Sequence, residues 1–373
     1  GLEPTRRAAW DLAIASYHRD RAALEADVGH DWRRSGEALD RALAARAGRL
    51  TALQASLDTA LAAIDPALGS PTRPAPLAEG DLVLAWYRTT RGWWRFAATS
   101  TEVQADPFTL PSADASPAQR AATLLGGLDG ALERAARVRV LAYGPLRDVD
   151  VHALPWRGEP LLASRPVLYS MDLPAASPAQ RAITRALVVG DPSGSLAGAR
   201  REAAQVASAL TKADIPAVRL LAGDQATGAA VRSGLGTVDL FHFAGHADYA
   251  GRGGWESHLP LAEGAGLGLT DILTLPAVPP QVVLSGCETG RSARDASVLG
   301  MGLAHAFLAR GSAVVVAAER PVDDTLAAWV SAALYRHLDL AAGGLQAATR
   351  AALLEVRSAH PDADWASYRV ITR

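Results

Sequence analysis

Several residue types are scarce or missing in this chain of 373 residues. Its one cysteine, Cys287, excludes an intrachain disulfide and a zinc cluster of several cysteines. Its one lysine, Lys212, has no glycine before it, which excludes the Gly-Lys-Ser/Thr loop of P-loop nucleotidases. Asparagine is absent, which excludes a Cys-His-Asn triad.

Composition and charge are those of an ordinary globular protein. Hydrophobic residues make up 49% of the chain, charged residues 20%, and the formal net charge is −2. That charge gives no reason to expect nucleic acid or an anionic membrane as a partner. No apolar run approaches the ~18 residues of a membrane span and no signal peptide is recognised, so we expect a cytoplasmic protein. Because the chain opens with Gly1 rather than Met, we expect the natural protein to extend further towards its N-terminus.

Three stretches with different patterns predict domains over 1–68, 69–180 and 181–373. The first has apolar residues at helical spacing, which predicts a helical hairpin with Asp31 capping its second helix. The second predicts a strand hairpin turning at 89–92, a helix over about 117–136 and further strands. The third alternates short apolar strands with amphipathic helices, which is typical of an α/β fold with a parallel sheet covered on both faces. Catalytic groups in such sheets lie beyond the carboxyl ends of the strands.

Two of these strands end in reactive side chains. The strand over 238–243 runs into Ala-Gly-His246, and the strand over 282–285 runs into Gly-Cys287. A thiol becomes a strong nucleophile when an imidazole takes its proton. A lone cysteine is more often an inert small hydrophobe and a lone histidine a hydrogen-bonded structural residue. The matched Gly-His and Gly-Cys strand ends favour a catalytic pair over these structural roles. No histidine pair has metal-ligand spacing, so we expect no metal and no cofactor.

Other candidates favour structural roles. We expect His242 to be buried against the sheet, and His258 and His305 to be structural or surface residues. The glycine-rich segment 190–198 lacks the order of a nucleotide-binding loop, and we interpret it as the loop that enters the next helix.

Several motifs occur in a fixed order along the chain, at 154–156, 241–246, 257–261, 284–290, 302–311, 313–317 and 364–370. Together they resemble the CHAT family of bacterial caspase-like proteins, from near Asp81 onward. The resemblance implies a caspase-like parallel sheet flanked by helices, preceded by a smaller α/β subdomain and the N-terminal hairpin. It also implies a dyad peptidase in which His246 is the general acid/base and Cys287 the nucleophile, with the backbone N–H groups of Ala247 and Cys287 holding the oxyanion.

Two residues depart from the family pattern. Ala247 stands where the family often has glycine, and its N–H still serves if its φ stays negative. Glu319 stands where a tryptophan is common, so no substrate preference can be transferred from relatives.

The function predicted from this resemblance is a cysteine endopeptidase that cleaves a protein substrate. An activating partner acting through the N-terminal region is expected, because such domains commonly follow helical repeats of the TPR kind, and a role in antiphage defence or cell death would follow by analogy. The alternative is a catalytically inactive caspase-like scaffold that only binds other proteins.

Charged side chains near the predicted site suggest the substrate pocket. An acidic pocket would select Arg or Lys at the residue before the cut, whereas solvated carboxylates beside an apolar pocket would leave Leu or Met preferred. A preference for Asp would instead indicate Arg320. The predicted pocket residues are Asp248, Glu288, Glu319, Arg320 and Asp323.

Overall fold

The structure of the protein is a computed structural model. It describes residues 3–28, 30–68, 75–112, 114–173, 182–250, 254–286, 289–291, 301–339 and 344–373. The chain divides into two compact units, Gly1–Thr72 and Arg73–Arg373. None of the helices in the described ranges has the length and apolar character needed to cross a membrane.

The first unit is a helical hairpin, as the sequence predicts. Its helices are α1 (Pro4–Val28) and α2 (Gly36–Leu68), and they pack against each other. Leu43 and Leu50, which belong to the predicted apolar stripe, are half exposed. The large apolar side chains that the hairpin buries are Trp10, Tyr17, Leu24, Leu53 and Leu57.

Ion pairs hold the turn of the hairpin, which corrects the expected cap at Asp31. A short 3-10 turn, Asp31–Arg33, separates the two helices, so Asp31 does not lie at the start of α2. Arg46 donates to Asp27 Oδ2 at 3.0 Å and to Asp31 Oδ2 at 2.6 Å, and Arg34 pairs with both carboxylates. The hydrogen bond from Arg46 lowers the pKa of Asp31 to about 2. The acidic turn therefore closes the hairpin through charge-assisted hydrogen bonds.

Among its described residues, the second unit is built on one sheet of 11 strands, with two additional two-stranded pairs. The strands are β1 (Asp81–Thr89), β2 (Gly92–Ala98), β3 (Val103–Phe108), β4 (Arg137–Leu141), β5 (Pro155–Trp156), β6 (Glu159–Pro160), β7 (Val167–Ser170), β8 (Arg185–Gly190), β9 (Ala217–Ala222), β10 (Leu240–Ala244), β11 (His258–Pro260), β12 (Gly266–Gly268), β13 (Gln281–Ser285), β14 (Val314–Ala318) and β15 (Tyr368–Thr372). The helices are α3 (Pro117–Leu125), α4 (Asp129–Arg134), α5 (Leu161–Ser164), α6 (Ala197–Lys212), α7 (Gly228–Leu235), α8 (Leu269–Thr274), α9 (Leu303–Arg310), α10 (Asp324–His337) and α11 (Leu345–Ala359).

The large sheet has the order β3-β2-β1-β4-β7-β15-β14-β13-β10-β8-β9. Strands β8, β9, β10, β13 and β14 are mutually parallel, and so are β1, β4 and β7. The C-terminal strand β15 joins the two sets, because it pairs parallel to β7 and antiparallel to β14. The two sets therefore run in opposite directions, and only the carboxyl ends of β8, β9, β10, β13 and β14 share one edge. The predicted α/β fold class, with a large and mostly parallel sheet between helices, is confirmed.

The alternation of side chains along β10 shows that helices cover both faces of the sheet. Phe241 points to one face, where its ring lies 6.0 Å from that of Phe307 on α9. His242 points to the other face and is fully buried, as predicted. There its Nδ1 lies 3.0 Å from Tyr335 Oη on α10 and its Nε2 lies 3.2 Å from Glu202 Oε1 on α6.

The N-terminal part of this unit confirms one predicted element and corrects another. The strand hairpin turns between Thr89 and Gly92, as predicted. The single helix expected over 117–136 is two helices, α3 and α4, with Gly127 between them at φ 77°. A glycine pair at 126–127 is a recognised signal for such a break, and the sequence interpretation overlooked it.

Candidate active site at the carboxyl edge of the sheet

The two strands that carry the predicted dyad are neighbours in the sheet. β10 and β13 are parallel, and Ala244 at the end of β10 pairs with Ser285 at the end of β13. His246 and Cys287 each follow that registered pair by two positions in sequence. His246 is described by the structure, whereas Cys287 and Glu288 lie outside the described residues.

The chain just before Cys287 lies directly against the chain around His246. A Cβ atom placed on Gly286 would be 2.8 Å from Gly245 O and 3.3 Å from Ala247 Cβ. Only glycine fits this approach without displacing backbone, because a real Cβ does not come within 3.0 Å of a carbonyl oxygen. Gly286 therefore permits the close contact between the two strand ends.

Beyond Cys287 and Glu288, the chain is anchored again. Thr289 is fully buried, and its hydroxyl lies 3.1 Å from both Leu284 O and Gly286 O. Its own carbonyl accepts from Ala304 N at 3.2 Å, at the start of α9. Gly290 N then donates to Ala318 O at the end of β14, at 2.8 Å. The residues on both sides of the predicted nucleophile are thus held by the sheet and by α9.

The side chain of His246 is exposed, and it contacts a residue that the sequence interpretation did not identify. Its Nε2 lies 3.2 Å from Ser195 Oγ, which in turn lies 2.8 Å from Ser193 Oγ. Ser195 belongs to the loop after β8, the strand that pairs with β10 on the side away from β13. Sequence could have suggested Ser195 only if the order of the strands had been known.

That loop is fixed by Asp191, a buried residue with a left-handed φ of 46°. Asp191 N donates to Ala244 O at 2.9 Å, and its Oδ1 accepts from Leu196 N at 2.8 Å. Its Oδ2 also accepts from Arg200 at 2.9 Å. The segment is the loop that enters α6, as predicted, and the carboxylate ties its two ends to β10 and to the start of the helix.

Ala247 meets the backbone condition set for its predicted oxyanion role, which stays a prediction. Its φ does not lie in the left-handed region. Its N–H makes no hydrogen bond within the described part of the chain. A free N–H beside the imidazole is the kind of donor that can stabilise a developing oxyanion.

The described pocket candidates have partners within the chain. Asp248 is exposed and pairs through its backbone with His258, whose Nε2 lies 3.3 Å from its carboxylate. Asp323 is the N-cap of α10 and accepts from the N–H groups of Thr325 and Leu326 at 2.9 and 2.8 Å. Their roles in substrate binding stay predictions.

Glu319 and Arg320 belong to one ionic cluster around the buried Arg369. Arg320 pairs with Asp150 at 2.7 Å, and Asp150 pairs with the buried Arg369 at 2.8 Å. Glu319 Oε2 lies 3.5 Å from the same guanidinium. Burial raises the pKa of Glu319 to about 6, even though Arg369 opposes the shift. The cluster therefore links β14, β15 and the loop at Asp150, although burial disfavours the charged form of Glu319.

An α/β protein with a histidine and a cysteine after equivalent positions of neighbouring parallel strands has the arrangement expected of a caspase-like peptidase fold. The sequence matches the CHAT domain family over residues 116–373, and the chain belongs to that family. The resemblance predicted from the sequence is thereby confirmed, although the match begins at residue 116 rather than near Asp81. No curated protein matches the sequence significantly.

Solved structures of cysteine peptidases are similar to this chain. The Arg-specific cysteine proteinase gingipain R has a TM-score of 0.48 and 10% identity, with 66% of this chain and 64% of that chain covered. Separase in the Saccharomyces cerevisiae separase–securin complex has a TM-score of 0.42 and 13% identity. There the match covers 64% of this chain and 16% of the other.

Proposed function

We propose that this protein is a cysteine endopeptidase that uses His246 as general acid/base and Cys287 as nucleophile. One observation carries the proposal: both residues follow, at the same offset, a registered pair on neighbouring parallel strands. The close approach of Gly286 to Gly245 O and Ala247 supports it, because it brings the two strand ends together.

The reaction would proceed by acyl transfer. His246 takes the thiol proton, and the thiolate attacks the scissile carbonyl, with the oxyanion held by the N–H groups of Ala247 and Cys287. His246 then gives its proton to the leaving amine, and a water molecule that it activates hydrolyses the thioester. Every step uses groups of this chain and water, without a metal or cofactor.

A cleft beside the loop of Ser195 supports a cationic side chain before the cut. The cleft has a volume of about 470 Å³ and is lined by Ser193, Arg200, Asp224 and Glu263, among others. Arg200 is already paired with Asp191, whereas Asp224 and Glu263 have no ion-pair partner among the described residues. Both carboxylates are exposed, so they attract a cationic side chain in this cleft only through solvent-screened charge, and on that basis we expect Arg or Lys rather than Leu or Met. A panel of fluorogenic peptides that differ only at that residue tests this preference, and faster cleavage of the Leu peptide would refute it.

The proposal includes a protein substrate, activation by a partner through the N-terminal helical hairpin, and a role in bacterial defence or cell death. These parts rest on the family resemblance alone. Cleavage by the isolated chain at full rate, unchanged by any added protein, would show that activation by a partner is wrong.

The decisive experiment uses the fact that Cys287 is the only thiol. A peptide carrying a thiol-directed warhead should label the wild-type chain once and Cys287→Ala not at all, and Cys287→Ala should cleave no peptide. His246→Ala should be nearly as inactive, and the double variant no worse than either single one, because the two residues act as a unit. If the wild-type chain neither cleaves peptides nor reacts with the warhead, with or without added protein, the protein is the inactive scaffold instead.

A further inference from the structure

We infer that Ser195 is a positioning residue for His246, which selects the imidazole tautomer that can accept the thiol proton. The inference rests on the proposed function, since it assigns a role within the same site. It starts from one contact, Ser195 Oγ to His246 Nε2 at 3.2 Å, and from the second hydroxyl, Ser193 Oγ, 2.8 Å further on.

The chemistry of a neutral imidazole makes the direction of this bond important. One ring nitrogen carries a proton and the other is an acceptor, and the partner of one nitrogen decides which form is present. If Ser195 accepts from Nε2–H, Nδ1 is left as the basic nitrogen that can take a proton. The same bond survives when His246 becomes an imidazolium, because both nitrogens are then donors.

Ser193 is a suitable partner for Ser195 when the bond runs in this direction. A hydroxyl that accepts from Nε2–H still has its own proton to donate, and Ser193 Oγ lies at 2.8 Å to receive it. The chain of bonds then runs from Nε2–H to Ser195 and from Ser195 to Ser193. No proton is transferred along this chain; it only orients the ring.

The loop that carries Ser195 is built to hold its position relative to β10. Asp191 binds Ala244 O through its backbone and Leu196 N through its carboxylate, so both ends of the loop are fixed. Pro192 lies against the residue before His246, because a Cβ on Gly245 would be 3.1 Å from Pro192 Cδ. The imidazole itself is exposed, so packing does not fix its orientation and the hydroxyl has to.

The test compares Ser195→Ala with Ser195→Thr, which keeps a hydroxyl, and with Ser233→Ala as a matched control. Ser233 is an exposed serine on α7 whose hydroxyl bonds only within its own helix. Losing one hydrogen bond to the ring should lower kcat about tenfold, which corresponds to about 1.4 kcal/mol, and leave KM unchanged. Thr should restore most of the rate, and Ser233→Ala should match the wild type. Because Ser195 is exposed, the melting temperature should stay the same in all three variants.

A second readout needs no turnover. Nitrogen-15 NMR of the imidazoles at mildly alkaline pH distinguishes the two neutral tautomers, and His246→Ala assigns the signal. The wild type and Ser195→Thr should show the Nε2–H form of His246, and Ser195→Ala a mixture. An unchanged tautomer in Ser195→Ala, or an unchanged kcat in an active enzyme, would overturn the inference. If the wild-type chain cleaves nothing, with or without added protein, the proposed function fails, and the NMR comparison still decides the role of Ser195.

Discussion

Replacing Thr289 with valine tests how the chain around the predicted nucleophile is held. Thr289 is fully buried, and its one hydroxyl proton is shared between Leu284 O and Gly286 O, each at 3.1 Å. Valine has nearly the same shape, so the change removes both contacts without opening a cavity. Because Gly286 directly precedes Cys287, the same change loosens the backbone next to the thiol.

The change in the free energy of unfolding distinguishes the contribution of the Thr289 hydrogen bonds from that of apolar burial. Depriving buried carbonyls of their donor costs about 1–3 kcal/mol, so Thr289→Val should lower the free energy of unfolding by about 2 kcal/mol. Thr289→Ser keeps the hydroxyl and loses one methyl group, which costs about 1 kcal/mol. If apolar burial alone mattered, valine would be the most stable of the three residues. We expect it to be the least stable.

The assay is urea-induced unfolding followed by tryptophan fluorescence, with initial cleavage rates measured on the same samples. The rate should fall in Thr289→Val and persist in Thr289→Ser. A valine variant that is as stable as the wild type, or more stable than the serine variant, would refute the role given to the hydroxyl.

Three further predictions concern single residues near the site. Because burial raises the pKa of Glu319 from 4.5 to about 6, the folded state holds its proton more tightly than the unfolded state, and its contribution to stability falls as pH rises through that window. As the pH rises from 4.5 to about 6, the free energy of unfolding of Glu319→Gln should therefore rise by about 2 kcal/mol relative to that of the wild type. A difference between the two proteins that does not vary with pH contradicts this prediction. Asp323→Ala should lower the free energy of unfolding by about 1 kcal/mol through loss of the α10 N-cap, with peptide preference unchanged; an altered preference in the peptide panel would make Asp323 a pocket residue after all. Gly286→Ala should reduce kcat/KM by more than about tenfold and lower the melting temperature, because its Cβ would meet Gly245 O at 2.8 Å, and wild-type values for both would show that the strand ends have room to separate.

The elements nearest the site were the easiest to predict from the sequence. Strands β8, β10, β13 and β14 are short apolar runs, all or nearly all buried, and such runs between amphipathic helices identify a parallel sheet. The matched offsets of His246 and Cys287 could be read directly from these runs. The pattern does not reveal the order of the strands in the sheet. For that reason the contact between Ser195 and His246, which are 51 residues apart, could not be predicted.

The strand that joins the two halves of the sheet was missed for a different physical reason. All five residues of β15 are buried, yet the strand contains Arg369, which an apolar pattern assigns to the surface. The buried Arg369 donates to the carboxylate of Asp150 at 2.8 Å and to the carbonyl oxygen of Arg147 at 2.7 Å. Both acceptors lie more than 200 residues earlier in the sequence. A buried charge of this kind is stable only where residues from elsewhere in the chain form hydrogen bonds or ion pairs with it. The sequence around Arg369 does not contain those residues.

The same reasoning applies to the covered face of β10. Glu202, His242 and Tyr335 come from three separate elements and bury their polar atoms together under the strand that carries His246. Removing Tyr335 would leave His242 Nδ1 buried without that partner, at a cost of about 1–3 kcal/mol, whereas Glu202 also accepts from Ser331 at 2.5 Å. Replacing the set by apolar residues of equal volume would avoid that cost. The network therefore constrains how α6 and α10 sit on the sheet more than it adds to stability. Since the loop of Ser195 leads directly into α6, that constraint also sets where the hydroxyl meets the imidazole of His246.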